Sequence, residues 1–224
     1  MVSTIVPVRD GGRFLAEAIG SVLAQDYAPS ELIVVDDGST DDSVQIASGY
    51  PNVRLLRTPG GGVSVARNAG VEAAAGELLA FLDQDDLWTR GKLSAQVPAL
   101  LADDSIGFAL GHQRLFLEAG VPEPEWMRVS GIEREHIGYF PGALLVRREV
   151  FDRVGPFREE APPAEGADWF LRASELGVRR TIVPEVVLCK RIHDANQSAD
   201  MSAVRPRVLE AIKRSLDRRR ERVP

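Results

Sequence analysis

Across the first hundred residues, short apolar runs take turns with helical stretches, and this alternation limits the fold more than any other feature. The runs lie at 3–8, 31–35, 53–57 and 78–82, and the helical patterns at 14–24, 41–47, 63–75 and 92–101. Such a succession builds βαβ units around a parallel sheet. Ile33-Val34-Val35 and Leu78-Leu79-Ala80-Phe81-Leu82 are apolar at every position, as strands covered on both faces are. The expected class is α/β.

Beyond residue 102 the pattern loosens. Residues 106–117 read as one strand or two, 118–137 as irregular around Pro122 and Pro124, and 142–146 as a strand. A helix follows at 148–154 and another at 167–176 ahead of Gly177. A strand at 178–183 and an amphipathic helix at 203–222 complete the chain. Val204, Val208, Ile212 and Leu216 share one face of that last helix. The expected organisation is a single domain with a first half over 1–102, a second half over 103–200 and a basic helix over 201–224.

The 224 residues carry a formal charge of −6. Residues 201–224 hold eight basic and three acidic side chains, about +5, which leaves about −11 on the rest. An acidic body argues against a nucleic-acid polymer as partner. It suits a nucleotide held through a hard cation, which requires carboxylates. The longest apolar runs fall far short of the ~20 residues that a membrane span needs. The N-terminus lacks the basic and apolar regions of a signal peptide. Cys189 is the single cysteine, which excludes an intramolecular disulfide and a Cys-cluster metal site. A cytoplasmic location is expected.

Three polar clusters follow strands: Val8-Arg9-Asp10-Gly11-Gly12, Asp36-Asp37-Gly38-Ser39-Thr40 and Asp83-Gln84-Asp85-Asp86. Ligands of open α/β sheets bind beyond the carboxyl ends of the strands, so all three fall on the functional edge. A strand-to-helix turn accounts for one aspartate in 83–86, but three carboxylates in four residues repel one another. A divalent cation bridging phosphate oxygens relieves that repulsion. Asp36 and Asp37 read either as turn residues or as acceptors for a nucleobase N–H or a ribose hydroxyl.

Gly60-Gly61-Gly62-Val63-Ser64-Val65-Ala66-Arg67-Asn68 matches neither the dinucleotide fingerprint nor the P-loop. Its stretch Gly62-Val63-Ser64-Val65-Ala66 resembles a nucleophile elbow, and Ser64, Asp168 and His193 stand in the chain order of an α/β-hydrolase triad. Against a hydrolase stand the loop at 58–62 ahead of the serine and the missing His-Gly-Gly segment. Asp168 reads as a first-turn helix carboxylate or as a general base at the mouth of a site. His193 reads as a surface histidine, a metal ligand or a phosphate partner.

Ile5-Val6-Pro7-Val8-Arg9-Asp10, Ile33-Val34-Val35-Asp36-Asp37-Gly38-Ser39-Thr40-Asp41, Ala66-Arg67-Asn68-Ala69-Gly70 and Phe81-Leu82-Asp83-Gln84-Asp85-Asp86-Leu87-Trp88 succeed one another. With Gly155-Pro156-Phe157, Asp168-Trp169-Phe170-Leu171-Arg172 and Arg191-Ile192-His193, they resemble family 2 glycosyltransferases over about residues 2–200. The resemblance implies the GT-A (nucleotide-diphospho-sugar transferase) fold, a mostly parallel sheet flanked by helices, and a metal-dependent, inverting sugar transfer. It implies that Pro7, Val8, Asp36, Asp37, Arg67 and Asp83 bind the nucleotide. Asp85 and His193 would bind Mn²⁺ or Mg²⁺, and Asp168 would be the catalytic base.

The implied partners are a nucleotide-diphospho-sugar donor, UDP- or dTDP-linked, and a hydroxyl acceptor of unknown identity. Ala167 departs from the family's pattern, which has Glu before that Asp. Glu165 stands two residues earlier and is the next carboxylate to test as base. The short segment 118–137 leaves the acceptor site either open or completed by a partner chain. A non-catalytic nucleotide- or partner-binding module is the competing reading. The basic C-terminal helix is expected to pack on the body with a solvated face, peripheral contact with the inner membrane face being the other reading.

Overall fold

The computed structural model describes residues 1–129, 134–161, 163–196 and 201–221. β1 (Val2–Val8), β2 (Ser30–Asp36), β3 (Val53–Arg57) and β4 (Leu78–Phe81) form where the apolar runs predict them. α1 (Leu15–Leu23), α2 (Ser43–Ser48) and α3 (Val63–Ala73) make the crossovers between them. The remaining elements are β5 (Leu87–Trp88), α4 (Lys92–Leu101), β6 (Ile106–Leu117), α5 (Glu125–Val129) and β7 (Glu135–Ile137). They are followed by a 3-10 turn at Pro141–Ala143, β8 (Leu145–Arg147), α6 (Arg148–Val154), α7 (Glu165–Glu175), β9 (Arg179–Ile192) and α8 (Met201–Glu221).

The sheet runs β3-β2-β1-β4-β8-β6-β9-β5, with β7 paired to β6. β1 pairs in parallel with both β2 and β4, while β8 runs antiparallel to its neighbours β4 and β6. Side chains alternate between two cores. Val6, Val34 and Ala80 face α1, α2 and α4, whereas Ile5, Ile33, Leu79 and Phe81 face α3, α6 and α7. α3 lies so close to β1 that a Cβ on Gly70 would stand 2.4 Å from the Ile5 side chain. Strand order reverses at β1, so the crevice beyond the carboxyl ends of β1 and β4 is a topological switch point.

The second half departs from the sequence reading at several points. Residues 106–117 form one strand with register shifts, and segment 118–137 holds α5 and β7, residues 130–133 lying outside the described ones. The strand expected at 142–146 starts only at Leu145, because Pro141–Ala143 close a 3-10 turn. The strand expected at 178–183 runs on to Ile192. Pro184 falls in a register shift between the Ile182 and Val186 pairings, where its missing N–H takes no bond from the ladder. β5, two residues long, then pairs with β9 through Leu87 and Trp88.

α8 uses the face expected of it only in part, and residue 222 lies outside the described ones. It buries Ala211 and Ser215, half-buries Val204 and Val208, and leaves Ile212 and Leu216 exposed. Among the described residues no helix is long and apolar enough to cross a membrane.

One core cation gives the fold a pH dependence. Lys92 is fully buried in α4 and donates to Gln96 Oε1 at 2.5 Å, with its Nζ 4.5 Å from the Trp88 ring centroid. Burial lowers its ammonium pKa to about 7, from 10.5. The unfolded chain therefore holds more protons between those values. The cost of the buried ammonium is fully present below pH 7 and vanishes as pH rises toward 10.5. Urea unfolding of the wild type and Lys92→Met at pH 7 and pH 9 checks this. The stability difference should shift by about 2 kcal/mol in favour of the wild type at the higher pH; an unchanged difference contradicts it.

Candidate active site

The β1 and β4 loops are tied together at the switch point. Gln84 accepts from the Arg9 N–H at 2.7 Å and donates to the Arg9 carbonyl at 3.2 Å. Pro7 and Val8 are buried within β1, opposite Val35 and Asp36 of β2. Only their backbone borders the crevice. Asp10 takes a left-handed φ of 48° and accepts from the Thr40 N–H at 2.7 Å. That bond holds its carboxyl below the usual range and joins the first and second polar clusters.

Asp36 and Asp37 are both buried at the end of β2. Asp36 accepts from the Ser39 N–H at 3.0 Å and from Arg57 at 3.2 Å. Asp37 accepts from Thr58 Oγ1 at 2.6 Å, from the Gly61 N–H at 3.0 Å and from the Gly62 N–H at 2.7 Å. Gly60 and Gly62 have φ of 95° and 92°, values that glycine reaches without strain. Asp37 thus pins the glycine loop that opens α3. Its spacing from that loop, more than 20 residues, hid this role in the sequence.

Each carboxylate of the Asp83-Gln84-Asp85-Asp86 cluster faces its own nitrogen base. Arg67, buried, spans Asp83 at 2.5 Å and Glu165 at 2.6 Å. Burial opposes the Arg67 charge, yet the two carboxylates raise its pKa above the ordinary value. Burial likewise opposes ionisation of Asp83, but Arg67 and Lys190 outweigh it and hold its carboxyl low. Lys190 donates to Asp86 at 3.3 Å, and Asp86, Asp83 and Asp85 raise its pKa against the burial that would lower it. His193 Nε2 stands 2.9 Å from Asp85 Oδ2. These bases offset the repulsion among the aspartates only in part: burial first, then Asp85 and Asp83, push the Asp86 carboxyl up to about 7 against the pull of Lys190.

Asp85 and His193 are the pair the sequence places at a metal, and the fold brings them together. Asn196 Nδ2 also donates to Asp85 Oδ2, at 3.2 Å, and the Phe14 ring lies tilted against the imidazole with centroids 4.7 Å apart. The Ala195 N–H points at His193 Nδ1 at 3.2 Å, which assigns the ring proton to Nε2. A cation at Nε2 would require the tautomer with the proton on Nδ1, and the Ala195 N–H would have to turn away from it. Among the described residues no group of three or more His, Cys, Asp or Glu could hold a metal. One carboxylate and one imidazole, completed by phosphate oxygens and water, are a fitting donor set for Mg²⁺ or Mn²⁺.

The placement expected of Asp168 differs from the one observed, and the disfavoured hydrolase reading fails. Asp168 is not at the mouth of a site: it is 0% exposed, with Oδ2 2.8 Å from Arg172 and 3.7 Å from Arg158. Arg172 in turn caps the carbonyls of Val154, Gly155 and Pro156. That makes Asp168 the counter-ion of a structural arginine one helical turn away. The hydrolase triad is also taken apart, because Ser64 Oγ donates to the Arg158 carbonyl and His193 faces Asp85.

Glu165 lies nearly one turn before Asp168 on α7 and is 7% exposed. Its Oε1 holds Arg67, which ties it to Asp83, and its Oε2, like Asp168 Oδ1, is buried with no partner among the described residues. Lys190 and Phe140 escaped the sequence reading altogether. The Lys190 ammonium lies 5.4 Å from the Phe140 ring, which is half-exposed. Pro141 packs on Gly166, where a Cβ would meet the proline ring at 2.8 Å. The turn at 140–141 therefore packs on the start of α7 and adjoins Asp86 through Lys190. Two open depressions lie elsewhere. One of about 430 Å³ is bordered by Asn68, Phe157 and Arg158, another of about 420 Å³ by Val22 and Tyr27, and neither includes a residue of the 83–86 cluster.

Residues 3–158 match the model of glycosyl transferase family 2. The chain belongs to that family. An uncharacterised glycosyltransferase of Rickettsia typhi is 31% identical over 87% of the chain. The chain spans 65% of that relative's length, and 26% and 53% of two other glycosyltransferases. In fold, the chain superimposes on Staphylococcus aureus TarS 1–349 in complex with UDP-GlcNAc with a TM-score of 0.75. That match is 21% identical and covers 96% of this chain and 65% of the other. Mannosyltransferase PcManGT of Pyrobaculum calidifontis, in complex with GDP-Man and Mn²⁺, gives 0.71 at 22% identity, covering 100% and 65%. The α/β sheet with its C-terminal helix is the GT-A fold of this glycosyltransferase family.

Proposed function

We propose that the chain transfers a sugar from a nucleoside diphosphate donor to an acceptor hydroxyl, with inversion, using Mn²⁺ or Mg²⁺. The observation that carries this is the Asp85–His193 pair at the switch point, beside Asp83 held by Arg67. UDP-GlcNAc in one structural neighbour and GDP-Man with Mn²⁺ in another support the donor class. Residues 1–102 supply the nucleotide side, walled by Pro7 and Val8 and by the turn that Asp36 and Asp37 hold. Residues 103–200 supply the acceptor side.

The bound cation would be held by Asp85 and His193 and would offset charge developing on the leaving diphosphate. Arg67 fixes Asp83 and Glu165 relative to each other. Glu165, with one oxygen uncommitted, takes the proton from the acceptor hydroxyl as that oxygen attacks the anomeric carbon. The C–O bond to the diphosphate breaks on the opposite side, so a single displacement inverts the centre. Lys190 keeps Asp86 neutralised beside the departing phosphates.

A thermal-shift screen of UDP-, dTDP- and GDP-sugars with and without Mn²⁺ tests the donor assignment. A bound donor at a hundredfold excess over Kd stabilises by about 2.7 kcal/mol, or roughly 5–10 °C for a domain of this size. At least one donor should do so, and only with the cation. No shift with any donor contradicts the proposal.

A further inference from the structure

We infer that α8 presents a docking surface for an anionic lipid bilayer. The helix is 21 residues long and lies on α7 by one side only. That side buries Ala211 and Ser215, and Arg218 closes it with paired 2.8 Å bonds to Glu175. Leu209, Ile212 and Leu216 project from the adjoining flank with 65%, 39% and 49% of their surface exposed. At about 100° per residue, these three positions form one continuous strip along the axis.

The charges around that strip are of one sign. Arg205, Lys213 and Arg219 border it and have no ion pair among the described residues. Glu210, Asp217 and Glu221 lie on another side, where Glu210 pairs with Arg207 and Arg214. The body carries about −11 and residues 201–224 about +5, so a negative surface attracts this helix while repelling the rest. An apolar strip bordered by free cations is what the headgroup and acyl boundary of an anionic leaflet accommodates. A nucleic acid would use the cations and leave the leucines exposed. The inference stands apart from the donor site and from the reading of its chemistry.

Flotation of the full chain with phosphatidylcholine vesicles, with and without about one third phosphatidylglycerol, tests it. The wild type should float with the anionic vesicles at low salt and stay behind with the neutral ones. Leu209→Gln with Leu216→Gln should cut the bound fraction about tenfold or more. Arg205→Gln with Lys213→Gln and Arg219→Gln should abolish binding, as should high salt. All these side chains are exposed, so both variants should melt as the wild type does. No flotation at low salt overturns the inference, as does flotation undiminished by either variant. A dimer in light scattering that the leucine variant dissolves overturns it in favour of a second copy. Binding of duplex DNA that the leucine variant leaves intact, without flotation, overturns it in favour of nucleic acid.

Discussion

Glu165→Gln should lower turnover by about 10²–10⁴-fold while donor affinity changes by no more than a few-fold. The substitution keeps the shape and an acceptor for Arg67, which retains Asp83 as counter-ion, and removes the Glu165 charge with its capacity to take a proton at Oε2. A group used in the transition state alone affects kcat and kcat/KM together. Asp168→Asn should behave in the opposite way. Removing its charge leaves Arg172 buried beside three carbonyls with no counter-ion. Breaking a buried pair on one side costs about 3–5 kcal/mol, or roughly 6–20 °C in Tm at this size. The expected split is therefore a stable, nearly inactive Glu165 variant and an unstable Asp168 variant that stays active while folded. A fully stable Asp168→Asn protein with kcat reduced a thousandfold would reverse the assignment.

Asp85→Asn should weaken cation-supported donor binding by about 100-fold or more, since it takes the charged ligand from a site with one carboxylate and one imidazole. Asn196 and His193 both lean on Asp85 Oδ2, and both can still bond to an amide oxygen, so the fold should be preserved. EDTA should reproduce the loss in the wild type. Donor affinity in EDTA equal to that in Mn²⁺ contradicts the role given to this pair.

What could be read from the chain alone depended on how local the cause was. β1, β2 and β4 were legible because the centre of a parallel strand covered on both faces is apolar, and β3, an edge strand with Arg54 and Arg57, from its place between helical patterns. β9 was not, since its pairing with β6 crosses Pro184 by a register shift that only the partner strand defines. β5 consists of two residues and exists only through β9. In the site, the aspartates and His193 were visible as motifs, but their compensation was not. Glu165 meets Arg67 across 98 positions, Lys190 meets Asp86 across 104, and His193 meets Asp85 across 108. Glu165 and Asp168 lie nearly one turn apart on the same helix, so periodicity could not separate them. The Asp168–Arg172 pairing itself was legible: Arg172 stands four residues after Asp168, the spacing of an intrahelical ion pair.

The central claim is that this crevice breaks the bond between a sugar and a nucleoside diphosphate, and the anomeric proton reports that bond directly. The donor selected by the thermal screen is incubated with the full chain and Mn²⁺, with methyl glycosides or water as acceptor, and followed by proton NMR. The expected result is release of the nucleoside diphosphate with a new anomeric signal of configuration opposite to the donor's, absent from the Asp85→Asn sample. A product of retained configuration contradicts the single displacement. A donor that remains bound and intact throughout contradicts sugar transfer itself.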